Sequence, residues 1–250
     1  MPEVTADRYQ ASWSPRRYLE QYYSTGASRD DVAQARFAVD QLRKLSAPLR
    51  EALEVGCGPT LHHAFSLAPF VDDITLADYL PSNLEEARRW VDQDPRAFDW
   101  DLSMTGTLVA ELDVDADVAV RLLPERQRLL RARIRDYAAV DMLRDPPLCE
   151  PRTFDLVASY YCLEALGLDL DGWRDSMRRL AALVAPGGAL LLGAMRNAPI
   201  YRVFEQEYPV TRVNEDHFAR MLPELGFDQD SIEVEVAAVP EFIDEGFDSV

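Results

Sequence analysis

Two periods of hydrophobic positions take turns along this chain. Residues 52–55 set Ala52, Leu53 and Val55 in a short apolar run that stops at Gly56, the pattern of a buried strand entering a turn. Similar short runs predict strands at 73–78, 134–140, 154–159 and 189–193, and residues 234–239 alternate Glu235 with valines as an edge strand would. Helical spacing fills the intervals. Ser14-Pro15 opens a helix that runs to Tyr23, with proline tolerated in its first turn. Residues 28–49 bring Val32, Phe37, Val39, Leu42 and Leu45 to one side of a longer helix, and residues 60–67 make a short one. Pro81-Ser82-Asn83-Leu84 opens a helix with Leu84, Ala87 and Trp90 inward; residues 125–133, 173–184 and 214–225 supply three more, the last capped by Asn214. Residues 95–130 read as a connection longer than a crossover needs, rich in acid at Glu111, Asp113, Asp115 and Asp117. Pro186-Gly187-Gly188 reads as a break between helix and strand, and residues 1–12 as a polar, frayed end.

Strands alternating with helices make a doubly wound, mostly parallel α/β sheet of Rossmann-like type. One domain over residues 1–250 accounts for the pattern, with residues 1–49 as an N-terminal helical cap. Ligands of such sheets lie beyond the carboxyl ends of the strands. Gly56-Cys57-Gly58, Asp78, Asp141 and Tyr160-Tyr161 each follow a predicted strand, so one ligand can meet all four. The third glycine of a dinucleotide fingerprint is missing, because Pro59, Thr60 and Leu61 follow Gly58. A glutamate-bearing strand followed by Gly-x-Gly resembles instead the first motif of S-adenosylmethionine-dependent methyltransferases, whose cofactor has an amino-acid tail where a dinucleotide has phosphates. A plain structural turn is the other reading of the two glycines. Asp78, about twenty residues past the turn, suits a carboxylate that accepts from ribose hydroxyls; an exposed strand-end aspartate is the alternative. Tyr18 and Tyr22 share a helix face, which serves either as a packing stripe or as an aromatic cap over a cationic ligand.

Charge narrows the partners. Lys+Arg 26 against Asp+Glu 44 leaves a net charge of -18, which argues against a nucleic-acid footprint or an anionic membrane surface. Cys57, Cys149 and Cys162 are odd in number and lack CxxC spacing, so neither a disulfide framework nor a zinc site is expected. His62-His63 and the distant His217 are poorly spaced for a metal. With no signal peptide and no apolar run long enough to span a bilayer, a cytoplasmic location is expected.

Several longer motifs resemble the small-molecule methyltransferase family that includes nicotinamide, phenylethanolamine and indolethylamine N-methyltransferases. They are Pro15-Arg16-Arg17-Tyr18-Leu19-Glu20-Gln21-Tyr22-Tyr23, Glu54-Val55-Gly56-Cys57-Gly58-Pro59-Thr60, Asp78-Tyr79 with Asn83-Leu84, Ala97-Phe98-Asp99-Trp100, Cys162-Leu163-Glu164-Ala165, Leu183-Val184-Ala185-Pro186-Gly187-Gly188, and Tyr201 followed by Glu205-Gln206. The resemblance implies a seven-stranded class I methyltransferase sheet and S-adenosylmethionine as cofactor. It implies that Tyr18 and Tyr23 close over the methionine end above Gly56, Gly58 and Thr60. Asp78 would hold the ribose with Asn83 near it, Asp141 would face the adenine amino group, and Tyr160 would line the pocket. Glu164 and Glu205 stand where relatives place acids near the acceptor nitrogen, and Tyr22, Tyr161, Arg196 and Tyr201 are the implied substrate contacts. Gly193-Ala194 and Val210 replace the aspartate and serine that hold nicotinamide, so nicotinamide is not the expected acceptor. His62 replaces a tyrosine of some relatives. The chain ends at Phe247-Asp248-Ser249-Val250 where relatives continue through a final antiparallel strand, so a trimmed strand or a different sheet edge is expected.

The expected reaction is N-methylation of a small amine, with Glu164 or Glu205 orienting the amine and taking its proton. Two rivals remain at this level: the same fold performing intramolecular cyclisation or C- or O-methylation, and a non-catalytic binding module. A monomer or homodimer is expected, with a partner protein possible in the second case.

Overall fold

The computed structural model describes residues 13–250, so the frayed end expected at 1–12 lies outside the described residues. Strands β1 (Leu49–Val55), β2 (Val71–Asp78), β3 (Ile134–Ala139), β4 (Phe154–Tyr160) and β5 (Val184–Gly193) form one sheet in the order β3-β2-β1-β4-β5. Every pairing in it is parallel. The chain winds outward from β1 to β3, then returns to place β4 on the other side of β1, which makes the β1–β4 boundary the topological switch point.

Side-chain alternation explains how helices cover both faces. Ala52 of β1 joins Ile74, Leu76, Leu156 and Ala158 in one apolar layer, whereas Leu53 and Val55 join Ala77 and Val157 in the other. The first layer packs on α2 (Arg29–Leu42), α3 (His62–Leu67), α5 (Asp101–Leu112) and α6 (Ala116–Arg133), through Ala38, Leu42, Phe65, Met104 and Leu130. The second packs on α7 (Leu170–Ala181) and α8 (Glu215–Glu224), through Trp173, Met177, Leu180 and Met221. Glu54, between Leu53 and Val55, consequently points with Ala52 toward α2 and α3.

Several expectations are corrected. Residues 95–130 hold two helices, α5 and most of α6, because the buried stripe of α5 mixes hydroxyls with apolar groups: Ser103 and Thr107 are buried beside Met104 and Leu108, and the Thr107 hydroxyl donates to the Ser103 carbonyl at 3.2 Å. Pro186-Gly187-Gly188 lies inside β5, where the pairing jumps from Phe154–Val184 to Leu156–Ala189. An edge strand tolerates that irregularity. Helix α2 stops at Leu42, well short of residue 49. The parallel sheet has five strands, and the remaining described strands, β6 (Ile200–Val203) and β7 (Gln206–Pro209), make a separate antiparallel ribbon. Residues 234–239 are not a strand of the main sheet. Ala237 and Val250 exchange two backbone bonds of 2.9 Å, and Val239 N donates to Asp248 O at 2.8 Å.

Helix α1 (Pro15–Tyr22) begins as predicted, with Ser14 accepting from Arg17 N and Pro15 in the first turn. It spans from α4 (Pro81–Val91) to the β6–β7 ribbon. At one end Trp13 Nε1 donates to Asn83 Oδ1 at 2.7 Å and Arg16 to the Arg96 carbonyl at 3.2 Å. At the other the Tyr22 hydroxyl donates to the Arg202 carbonyl at 2.6 Å, Phe204 N donates to Gln21 at 3.1 Å, and Arg17 sits 4.1 Å over the Phe204 ring.

Candidate functional site

Beyond the switch point lies a cavity of about 360 Å³. Its floor is the turn after β1, where Gly56 and Gly58 take φ 69 and φ 61, the left-handed region that favours glycine. Gly56 N and Cys57 N both donate to the Ala77 carbonyl, at 2.8 and 3.1 Å, which ties the turn to the end of β2. A Cβ on Gly56 would lie 2.2 Å from Cys162 Sγ; one on Gly58 would meet only Thr60 Cγ2 at 3.9 Å. The first glycine is therefore required by packing, and the second leaves bare backbone at the cavity.

Asp78 closes the end of β2. Its Oδ2 accepts from Gly58 N at 2.8 Å, and its Oδ1 accepts from Leu80 N at 2.8 Å and Asn83 Nδ2 at 3.0 Å. Burial raises its pKa, and the three N–H donors only partly offset that. Asp141, after β3, stands on the same cavity beside an apolar wall of Val140, Met142 and Leu143. Two carboxylates on the lining suit a ligand that offers hydroxyls and positive charge. Asp78 already takes the Gly58 N–H at 2.8 Å, one of the turn donors a pyrophosphate would need, which disfavours a dinucleotide.

Beneath the turn, β1 buries Glu54, which has an oxygen with no hydrogen-bond partner; burial and the nearby Asp78 charge raise its pKa to about 8. Its other oxygen is 3.2 Å from His63 Nδ1. His63 stacks on Tyr160 at 3.8 Å and places Nε2 3.2 Å from Gln34 Oε1. The Gln34 amide donates to the Tyr161 hydroxyl, and that hydroxyl donates to Asp30 Oδ2 at 2.7 Å. Donor and acceptor roles run consistently from one end: protonated Glu54 to Nδ1, Nε2–H to Gln34, Gln34 to Tyr161, Tyr161 to Asp30. Burial lowers the His63 pKa, in keeping with the neutral ring.

A second cavity of about 80 Å³ shares Tyr18, Tyr23, Tyr161 and Tyr201 with the first. Asp30 and Asp31 line it, from a helix start where Ser28 and Asp31 cap each other. Burial and the Asp31 charge raise the Asp30 pKa. Burial pushes Asp31 up as well, but His62 at 3.2 Å and the Ser28 bonds more than offset it, and the net direction is down.

The nine residues expected to hold a cofactor, Tyr18, Tyr23, Gly56, Gly58, Thr60, Asp78, Asn83, Asp141 and Tyr160, all line the larger cavity. Of the expected substrate contacts, Tyr161 and Tyr201 line both cavities and Tyr22 the smaller. Arg196 lines neither, because Glu215 holds its guanidinium bidentately at 2.8 and 2.9 Å beside a groove along β5. Glu164 is buried behind the wall, its carboxylate accepting from Met195 N at 3.0 Å, with burial raising its pKa to about 7. Glu205 is exposed on the β6–β7 turn and lines neither cavity. Sequence reading missed Asp30, Asp31, Gln34 and the use of His63. The signals were there in the Ser28-x-x-Asp31 capping pattern and in two polar residues on the helix face that also carries Ala38.

The NNMT/PNMT/TEMT family model matches residues 2–245. Human nicotinamide N-methyltransferase is 27% identical over 240 residues, covering 92% of this chain and 88% of that protein. Indolethylamine N-methyltransferase of Oryctolagus cuniculus is 28% identical over 230 residues, covering 89% and 85%. The crystal structure of an S-adenosylmethionine-dependent methyltransferase from Clostridium acetobutylicum aligns with TM-score 0.55 over 89% of each chain, at 10% identity, a likeness of fold alone.

Proposed function

The chain belongs to the NNMT/PNMT/TEMT family and is an S-adenosylmethionine-dependent methyltransferase; from that premise we propose that it methylates a nitrogen of a small amine across the two joined cavities. What carries the reading is the gathering of nine side chains and glycines, from four strand ends and the cap helix, around one acid-lined cavity. The open backbone at Gly58 and the carboxylates of Asp78 and Asp141 fit the cofactor's sulfonium-bearing, hydroxyl-rich chemistry. Bound there, S-adenosylmethionine supplies an electrophilic methyl group.

The residues divide the remaining work. Asp78 and Asn83 hold the ribose, Asp141 the adenine amino group, and Gly56, Gly58 and Thr60 the methionine end. Tyr18 and Tyr23 lie over it, contributing about 0.5 to 2 kcal/mol of cation–π attraction. Helix α1, fixed at both ends, excludes water and aligns the reactants, a lever that reaches about 7 to 11 kcal/mol in well-oriented systems. Glu164 acts as a positioning residue, holding Met195 against the acceptor side, while Glu205 and Arg196 stay outside this reading. In this reading the chain is one methyltransferase domain with residues 1–49 as its N-terminal helical cap. Free Cys57, Cys149 and Cys162 support a reducing cytoplasm, and no described helix is long and apolar enough to cross a membrane.

Calorimetric titration with S-adenosylmethionine tests this. The intact protein is expected to bind, and Asp78→Asn to bind about tenfold or more weakly, since its amide would face the Gly58 N–H as a second donor. No heat of binding from the intact protein sinks the reading. Release of S-adenosylhomocysteine on adding small amines, and not on adding matched alcohols, separates N- from O-methylation.

A further inference from the structure

The smaller cavity has its own chemistry. Seven of its eleven lining residues are aromatic, and Asp30 and Asp31, 5% and 4% exposed, are the carboxylates among them. At about 10–15 Å³ for each water-sized group, its volume accommodates about five to eight non-hydrogen atoms. The two carboxylates differ in their partners. Asp31 has His62 at 3.2 Å and the Ser28 backbone N–H at 2.9 Å. Asp30 is met by two hydroxyls, those of Ser28 and Tyr161. Hydroxyls hydrogen-bond a carboxylate without neutralising it, and His62, which lies against Asp31, acts on Asp30 only through space, so two buried carboxylates share one basic partner and the cavity favours a further positive charge. Tyr161, which delivers one of those hydroxyls, is held at φ 53, a strained conformation for a bulky residue and one that clusters at ligand clamps.

Resting on the methyltransferase reading above, we propose that the smaller cavity is the acceptor site and takes a compact primary or secondary ammonium with an aryl or short alkyl body, with Asp30 as its counter-ion and the rings of Tyr18, Tyr22 and Tyr161 around the charge. The four tyrosines common to both cavities make the acceptor and the cofactor neighbours. Aromatic faces and a buried carboxylate together favour a cation over a neutral ligand of equal shape. The same carboxylate takes the proton that the ammonium gives up before reaction: the N–H bond breaks, its electron pair stays on nitrogen, and the proton goes to an Asp30 oxygen. The acid that meets the amine is therefore on α2, a residue that neither Glu164 nor Glu205 replaces.

The test uses the intact chain saturated with S-adenosylhomocysteine, titrated calorimetrically with benzylamine and, separately, with benzyl alcohol. The unmutated protein is expected to prefer benzylamine by about tenfold or more, the scale of one charge-assisted hydrogen bond. Asp30→Asn, close in shape, is expected to lose that preference and keep its affinity for S-adenosylhomocysteine. Equal binding of the two probes, absence of benzylamine binding, or a preference that survives Asp30→Asn overturns the proposal. Where the variant fails to hold S-adenosylhomocysteine, the unmutated protein's preference decides alone. Failure of the unmutated protein to bind S-adenosylhomocysteine removes the methyltransferase reading itself, and the acceptor assignment with it.

Discussion

Gly56→Ala is expected to lower stability by about 2 to 5 kcal/mol, the sum of about 1 to 2 for a left-handed alanine and about 1 to 3 for overpacking. The overpacking is severe because the new Cβ would sit 2.2 Å from Cys162 Sγ and 2.6 Å from Cys162 Cβ. The sulfur can swing away, but the Cβ follows only if the backbone after β4 moves. Gly58→Ala shares the backbone strain, at φ 61, yet its Cβ has only Thr60 Cγ2 within 4 Å. It is expected to cost about 1 to 2 kcal/mol and to weaken S-adenosylmethionine more than it weakens the fold. Urea unfolding and calorimetry on both variants separate the two roles. Equal destabilisation by both, with equal loss of binding, would show that the turn acts as one structural unit and that Gly58 has no special place at the ligand.

The second large effect is a fall in stability with rising pH. Glu54 titrates near 8 in the folded protein against 4.5 as the reference value, so between those values the folded state keeps a proton that the unfolded chain has released. Stability is then lost as pH rises through that window, at up to about 1.4 kcal/mol per unit, and is level below and above it. Glu164 adds the same sign between 4.5 and about 7, and Asp78 and Asp30, both raised, act in the same direction. His63 opposes them on the acid side: its lowered pKa removes stability as pH falls below the ordinary histidine range. The free protein is expected to be most stable in mild acid. Glu54→Gln, which mimics the protonated carboxyl and can still donate to His63 Nδ1, is expected to add on the order of 3 kcal/mol near pH 8 and little near pH 5. Thermal unfolding of both proteins at those pH values decides, and parallel curves would falsify the assignment of the slope to Glu54.

The elements nearest the sheet were legible in the sequence because short-range physics dictates them. Leu53 and Val55 had to be buried in a strand, two glycines had to follow, and Pro15 and Pro81 had to open helices. The carboxyl-end rule then places Asp78, Asp141 and Tyr160 at the carboxyl-terminal edge of the sheet. What short-range patterns do not carry is which polar residue ends up buried. Asp30, Gln34 and His63 lie on segments that read as ordinary amphipathic helix, and only the packing of α2 and α3 on the Glu54 face of β1 turns them inward. Glu205 shows the converse, since a local motif matched a family position while the β6–β7 turn held its side chain in solvent. Sequence alone determined the fold class and brought Gly56, Gly58, Asp78, Asp141 and Tyr160 to the larger cavity, because each of them follows or ends its own strand. The smaller cavity was decided by tertiary structure, because its acids and rings come from α1, α2, the end of β4 and the β6–β7 ribbon, elements that only long-range packing brings together.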